Sequence, residues 1–267
     1  MSDGILTLTT DFGADGPYVA AMKGIVLGLA PRTRFVDVSH AIEPQNISEG
    51  GFVLASIVPY FPSGTVHLAV VDPGVGTDRR IVAAEVDGQW FVLPDNGLIG
   101  PVVKDRRPSG IWAITNPSLR RSVVSSTFHG RDIMAPAAAH LLKGGDPGEL
   151  GPPVDRLVLP TVSEPIEEGA GWLGEVVFRD SFGNLITNLS TEHLGPSSTS
   201  LWEVELLGRT IERISRTYGE SPAGSLVALV GSSGRLEIAI VNDSAGRWLA
   251  AGRGTSVRIR RRQENVS

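Results

Sequence analysis

Residues 65–80 read T-V-H-L-A-V-V-D-P-G-V-G-T-D-R-R, a run of small and β-branched residues that ends at a carboxylate and a glycine-rich stretch. The apolar run 65–71 predicts a buried strand, and the P-G-V-G that follows the aspartate predicts a sharp turn. In an open α/β sheet, ligands bind at the carboxyl ends of the strands. Asp72 would stand at such an end, with Arg79 returning to the same loop. The other interpretation is a tight turn whose aspartate caps local amides.

The segments on either side of this stretch alternate between strand and helix patterns. This alternation over residues 1–150 favours a largely parallel sheet with helices on both faces. Predicted strands lie at 5–9, 35–38, 65–71 and 111–114, with a hairpin at 80–86 and 90–93 across Asp87-Gly88, and predicted helices lie at 17–29, at 48–58 with Ser48 as its cap, and at 133–142.

The composition changes near residues 151–170, where several prolines and glycines predict a linker. Beyond it the pattern is one of short strands without a long helix, which favours a small β-barrel or sandwich. These strands are predicted at 174–178, 185–189, 201–207, 226–230, 236–241 and 256–260. We therefore expect an N-terminal α/β domain at 1–160 and a smaller C-terminal all-β barrel domain at 161–267.

The composition limits the classes of function. The chain has 267 residues, 41% of them hydrophobic, which is enough for a sizeable core. A net charge of −5 implies no general attraction to nucleic acid or to an anionic membrane. No uninterrupted apolar stretch is long enough to predict a membrane span. Cysteine is absent, which removes thiolate chemistry and fits a reducing compartment, so we expect a cytoplasmic protein.

Three further polar loops accompany the one at Asp72. Asp11, after the first strand, is placed either to bind a ribose diol or to cap the next helix. The P-D-N-G at 94–97 is equally typical of an ordinary turn. His129, beside Gly130 in T-F-H-G-R-D, has a side chain whose charge changes near neutral pH. Together Asp72, Arg79 and His129 would form a charge-balanced acid–base set.

The same carboxylates allow a metal-dependent alternative. Asp11, Asp72, Asp132 and His129 are residue types that ligate divalent ions. However, the sequence has no H-x-x-x-H or H-E-x-x-H spacing, no P-loop and no G-x-S-x-G nucleophile motif. A metal-dependent nucleotide hydrolase stays open as an alternative. Because these motifs are missing, however, we expect no metal and no cofactor.

Taken in order, six motifs resemble the S-adenosyl-L-methionine hydroxide adenosyltransferase family across nearly the whole chain. They are T-T-D-F-G at 9–13, V-D-P-G-V-G-T-D-R-R at 71–80, P-D-N-G at 94–97, T-F-H-G-R-D at 127–132, D-S-F-G-N-L-I-T-N at 180–188 and G-S-S-G at 231–234. The resemblance implies an α/β domain joined to a β-barrel. It also implies a homotrimer with active sites between subunits, and hydrolysis of S-adenosyl-L-methionine to adenosine and L-methionine.

The resemblance also implies roles for individual residues. The catalytic set falls on Asp72, Arg79 and His129. Related halogenases differ at Asp72 and His129, so hydroxide transfer is favoured over halogenation. A non-catalytic S-adenosylmethionine sensor is the other alternative. The residues implied in substrate binding are Asp11, Thr127, Asp180, Asn184, Tyr218 as an adenine-stacking residue, Ser232 and Asn242.

The proton acceptor is left open at this stage. Arg79 would keep Asp72 ionised and make it a good orienting group but a weaker base. A neutral His129 would then accept the proton of the attacking water. In the other arrangement, Asp72 accepts the proton and His129 orients the water.

Overall fold

The computed structural model describes residues 4–160, 164–195 and 201–262. Its contacts divide the chain into two units, Met1–Thr161 and Val162–Ser267. Within the described ranges, no helix combines the length and the apolar character that crossing a bilayer requires.

The N-terminal unit is built on a six-stranded sheet in the order β2-β1-β3-β5-β4-β6. Four adjacent strands, β2, β1, β3 and β5, run parallel to one another. The strand β4 is antiparallel to both of its neighbours, β5 and β6. The predicted, largely parallel sheet is confirmed. The hairpin turns where predicted, with Asp87 and Gly88 both at positive φ. The strands are β1 (Ile5–Thr10), β2 (Arg34–Ser39), β3 (Val66–Val70), β4 (Ile81–Val86), β5 (Gln89–Pro94) and β6 (Gly110–Ala113).

Helices cover both faces of this sheet because its strands are apolar on both sides. One core cluster joins the sheet to α1 and α4, and a second joins the opposite face to α2 and α3. The helices are α1 (Pro17–Leu29), α2 (Ile47–Ile57), α3 (Gly100–Val103) and α4 (Ala135–Leu142), with short helical turns at Val58–Tyr60, Pro117–Leu119, Gly130–Met134 and Pro147–Leu150.

The predicted cap of the second helix is wrong. Asn46, not Ser48, is the N-cap of α2, and its side chain accepts a hydrogen bond from the Glu49 amide at 3.1 Å. The next predicted helix also differs at its start, because a π-helical turn, Gly130–Met134, precedes α4.

The C-terminal unit is a nine-stranded, mostly antiparallel sheet that curls into a nearly closed barrel, as predicted. Strands from both ends of the sheet contribute to one core, which shows the curvature: Ile211 and Ile214 pack in the same cluster as Val257. The elements are β7 (Ile166–Glu168), β8 (Gly171–Arg179), β9 (Leu185–Ser190), α5 (Thr191–Leu194), β10 (Trp202–Leu206), β11 (Arg209–Ile211), β12 (Ile214–Ser215), a 3₁₀ turn (Tyr218–Glu220), β13 (Leu226–Val230), β14 (Arg235–Ile240), α6 (Ala245–Trp248) and β15 (Ser256–Arg261).

Candidate active site

The turn after β3 brings Arg79 back onto Asp72. The Thr77 hydroxyl donates to the Gly74 carbonyl at 2.7 Å and closes the turn. Arg79 then donates from Nε to Asp72 Oδ1 at 2.9 Å and from Nη2 to Oδ2 at 2.5 Å. The Asp72 side chain is only 5% exposed. A forked pair of this kind is among the stronger charge-assisted hydrogen bonds, so it holds the carboxylate in one orientation.

His129 completes the set through the same guanidinium. Its Nδ1 lies 2.9 Å from Arg79 Nη2. A guanidinium can only donate, so Nδ1 is the acceptor and the ring proton of the neutral histidine is on Nε2. Burial lowers the pKa of His129, and the positive charge of Arg79 lowers it further, while Asp72 and Asp132 oppose the shift. His129 is therefore a neutral imidazole near pH 7, with an N–H donor at Nε2.

Gly76 lets the loops of Asp72 and His129 approach each other. Its φ is +81°, and a β-carbon there would overlap the carbonyl oxygen of Ser126. Glycine is thus required both by the backbone conformation and by the close contact between the two loops.

Asp132 fixes the segment that carries His129. It is fully buried and accepts hydrogen bonds from Arg131 Nε at 2.7 Å, Arg121 Nη1 at 3.1 Å and the Ser125 amide at 2.9 Å. The Arg131 hydrogen bond is the largest of several contributions that together lower the pKa of Asp132 to about 2. This carboxylate supports the loop.

The metal-ligand set considered from the sequence is not assembled. Asp72 and Asp132 are each bound to arginine side chains. Across residues 4–160, 164–195 and 201–262, no group of three or more His, Asp or Glu side chains is arranged to hold a metal ion.

Asp11 follows β1 and does not cap α1, whose N-cap is Gly16. Its Oδ2 accepts the Gln45 amide at 2.9 Å. The next residue, Phe12, joins the Asp11 loop to the His129 loop through a three-ring cluster. The centroids of Phe12 and Phe128 lie 5.8 Å apart, and Tyr18 lies 5.6 and 5.4 Å from them.

The other two polar positions of this unit differ in environment. Thr127 is exposed and caps no helix; its hydroxyl lies 3.2 Å from Ser125 Oγ. Asp95, in the P-D-N-G turn, is buried and accepts hydrogen bonds from Arg80 and from the Val158 amide. The P-D-N-G motif therefore has a structural role, because it secures the segment near Val158.

In the C-terminal unit, one open cavity of about 950 Å³ is lined by all five of the residues predicted there. They come from the β8–β9 turn, the 3₁₀ turn before β13, and the chain on either side of β14. They are Asp180, Asn184, Tyr218, Ser232 and Asn242.

A hydrogen-bonded chain connects the polar side chains of this cavity. Asp180 Oδ1 accepts a hydrogen bond from the backbone N–H of Asn184 at 2.8 Å, and Asp180 Oδ2 accepts one from the side-chain Nδ2 of Asn184 at 2.9 Å. The same Nδ2 lies 3.5 Å from the Tyr218 hydroxyl, which donates to Glu237 at 2.8 Å. Burial raises the pKa of Tyr218, and the hydrogen bond and charge of Glu237 raise it further, so the phenol stays protonated.

Two family models match the chain over most of its length. The SAM hydroxide adenosyltransferase N-terminal domain matches residues 6–151, and the C-terminal domain of the same name matches residues 174–258. The chain belongs to the SAM hydroxide adenosyltransferase family.

Comparisons with individual proteins support the family assignment. A Thermus thermophilus protein named (R)-S-adenosyl-L-methionine hydrolase is 41% identical, covering 94% of this chain and 97% of its own. A fluorinase from an Actinoplanes species is 27% identical over 69% of this chain and 71% of its own. The crystal structure of an uncharacterized conserved protein from Thermotoga maritima superposes with a TM-score of 0.89 at 32% identity, covering 96% of this chain and all of that one.

Sequence reasoning missed several residues of the candidate site. Phe12, Tyr18 and Phe128 were not recognised as one cluster, because their ring contacts depend on the fold. Glu237 was missed although a signal exists: it is a single carboxylate inside the apolar strand β14. The other polar or aromatic residues lining the cavity that were not predicted are Phe182, Arg216, Thr217, Asp243, Ser244 and Arg247.

Proposed function

We propose that this protein hydrolyses S-adenosyl-L-methionine to adenosine and L-methionine, by in-line attack of water or hydroxide on ribose C5′. The observation that carries the proposal is the direct contact of Asp72, Arg79 and His129 in a chain of this family. The names of the full-length relatives support the same reaction.

The substrate supplies the leaving group, a sulfonium. The water oxygen forms the new bond to C5′ as the C5′–S bond breaks, and the electron pair of that bond goes to sulfur, which leaves as the neutral thioether of methionine. One water proton is released. Water is a weak nucleophile, so catalysis consists mainly of positioning and proton removal. Positioning lowers the barrier by roughly 7–11 kcal/mol, and removal of the water proton by a general base raises the rate roughly 10²–10⁴-fold.

The hydrogen-bond geometry supports Asp72 as the proton acceptor and His129 as the orienting group. His129 Nδ1 already accepts from Arg79. A proton added there would break that bond and place an imidazolium beside a guanidinium, which is unfavourable. Nε2 carries a proton and so donates to the oxygen of the nucleophile. Asp72 retains free lone pairs on a carboxylate that Arg79 holds in place.

The remaining predicted residues bind the substrate in this proposal. Asp11 would accept hydrogen bonds from the ribose hydroxyls. Thr127, two residues before His129, would bind the same end of the substrate. The residues of the C-terminal cavity would bind the polar groups of the substrate, and Tyr218 would stack on the adenine. They are Asp180, Asn184, Tyr218, Ser232 and Asn242.

We also propose a homotrimer in which each site combines residues from two subunits. The proposed residues are divided between the N-terminal and C-terminal units, which is the division that a shared site requires. The cytoplasmic location and the domain boundary at residue 160 stay predictions.

The deciding experiment is incubation with S-adenosyl-L-methionine in ¹⁸O-water, with excess chloride or fluoride, followed by mass analysis. We expect the label at the 5′-oxygen of adenosine and none in methionine. No halogenated nucleoside should form, because a halide beside the largely buried Asp72 side chain would meet its negative charge. Unlabelled adenosine, or a 5′-halogenated nucleoside as main product, would contradict the proposal. Activity lost to EDTA and restored by Mg²⁺ would favour the metal-dependent alternative.

A further inference from the structure

Glu237 is a buried carboxylate that has no cationic partner among the residues that the structure describes. It is 8% exposed on β14, where its neighbours Leu236 and Ile238 belong to the barrel core. Among the described residues it forms no ion pair, and its hydrogen-bond partner is the Tyr218 hydroxyl at 2.8 Å. Burying a carboxylate without a cation costs free energy, so an orienting role would account for its presence.

The backbone leaves space for this side chain. A β-carbon on Gly231 would overlap Glu237 Oε1, so a glycine at this turn is what allows the carboxylate to lie against it. Burial raises the pKa of Glu237, and the charge of Asp180 raises it further, while the hydrogen bond from Tyr218 opposes the shift.

The hydrogen bonds in this part of the cavity have only one consistent direction. Tyr218 has a single hydroxyl hydrogen, and it is donated to Glu237. The Tyr218 oxygen is then an acceptor for Asn184 Nδ2, whose other hydrogen goes to Asp180 Oδ2. Both N–H groups of the Asn184 side chain are therefore used within the protein.

The oxygen of Asn184 is the atom that is left for a ligand. Asn184 is 7% exposed and lines the cavity, and its Oδ1 receives no hydrogen bond from the residues that the structure describes. With the nitrogen held by Asp180 and Tyr218, the side chain cannot turn over to offer a donor instead.

We propose that Glu237 is a positioning residue for substrate binding, which acts through Tyr218 so that Asn184 offers the cavity an acceptor and no donor. The site then selects a ligand group that donates a hydrogen bond, an amino or ammonium group, over one that accepts. This inference rests on the proposed function, in which the substrate has two such groups, the 6-amino group of adenine and the α-ammonium of methionine.

The test measures ligand preference by calorimetry on the full-length protein. One pair of ligands is adenosine and inosine, which replaces the amino group with an oxo group; the other is L-methionine and its desamino analogue. In Glu237→Met the Tyr218 hydrogen is released toward the cavity. We expect the preference for the amino ligand to fall at least about fivefold in one pair, and that pair identifies the group bound.

Three further variants separate the positioning role of Glu237 from a general loss of protein structure. Tyr218→Phe frees the second N–H of Asn184 and should reduce the same preference, even where Glu237→Met fails to fold. Glu237→Gln retains an oxygen that accepts from Tyr218 and should keep the preference within about twofold. Glu212→Met replaces an exposed carboxylate of the same unit as a control.

The outcomes also separate this inference from the proposed function. If the wild-type protein hydrolyses S-adenosyl-L-methionine but shows no preference in either pair, or if the preference survives both Glu237→Met and Tyr218→Phe, the positioning role is wrong. If the wild-type protein does not hydrolyse S-adenosyl-L-methionine, the proposed function fails, whatever the ligand preference.

Discussion

Arg79 is the residue that joins the candidate catalytic set. Its Nε and Nη2 hold Asp72, and the same Nη2 donates to His129. A lysine would bring one compact ammonium in place of this planar fork and could not reproduce both contacts. The protonation state of His129 follows from the same contact, because a group that only donates requires an acceptor at Nδ1.

Asp72→Asn tests the proposed proton acceptor. The amide has nearly the shape of the carboxylate but lacks its charge, so we expect kcat to fall at least about tenfold with ligand affinity within about threefold. Steady-state kinetics and adenosine binding measure the two quantities. Asp78→Asn, an exposed carboxylate in the same loop, is the matched control. A wild-type kcat in Asp72→Asn would remove this residue from the mechanism.

Asp132→Asn tests the carboxylate that supports the His129 segment. The pKa of Asp132 is lowered from 3.8 to about 2, so its charged form stabilises the folded state by about 2 kcal/mol at pH 7. This contribution is present above pH 3.8 and is lost as the pH falls toward 2. We expect the variant to unfold with a free energy about 2 kcal/mol lower at pH 7, and the difference to shrink below pH 3.8.

Denaturant unfolding of both proteins across this pH range measures the difference directly. A difference that stays constant from pH 7 to pH 2.5 would show that the arginine contacts of Asp132 do not stabilise the fold through its charge.

At the scale of elements, the contact between the turn at 72–79 and the segment at 125–129 positions the site. Gly76→Ala would add strain at φ +81°, and its β-carbon would overlap the Ser126 carbonyl oxygen. Gly64→Ala is the control for the backbone alone, because Gly64 has φ +83° and open space around it.

We expect Gly64→Ala to lower stability by about 1–2 kcal/mol with kcat unchanged. Gly76→Ala should lower stability further and also reduce kcat at least about tenfold, because the two loops must separate. Equal stability losses in the two variants, with normal turnover in both, would mean that this contact does not position the catalytic set.

Elements were predictable where local chemistry determines them. The buried strands follow from apolar runs, and the β4–β5 turn follows from Asp87-Gly88. The start of α2 was not, because Asn46 and Ser48 are both good caps, and the choice depends on how the chain enters the helix: Gln45 has φ +66°. The π-helical turn before α4 leaves no local signal of this kind.

In the candidate site too, local sequence predicted some features, and others depend on tertiary structure. Asp72 and Asp11 could be placed because carboxyl ends of parallel strands share one edge of the sheet. Residue types suggested that Asp72, Arg79 and His129 could form one set, but the contact of Arg79 with His129, 50 residues apart, depends on tertiary structure. Glu237 was overlooked because a carboxylate in a strand pattern is usually solvated, whereas this one is buried against Gly231 and Tyr218.

At the scale of the whole molecule, the division of the proposed residues between two units leads to a complementation test. Asp72→Ala removes a residue of the N-terminal unit, and Asp180→Ala removes one of the C-terminal unit. If each site combines two subunits of a symmetric oligomer, an equal mixture places both intact halves together in about a quarter of the sites.

We therefore expect roughly a quarter of wild-type activity after subunit exchange, from two variants that are each nearly inactive. Light scattering should give three times the mass of the chain, and native mass spectrometry should verify the exchange. Sites built within one chain would give no recovery, since every chain in the mixture carries one damaged half.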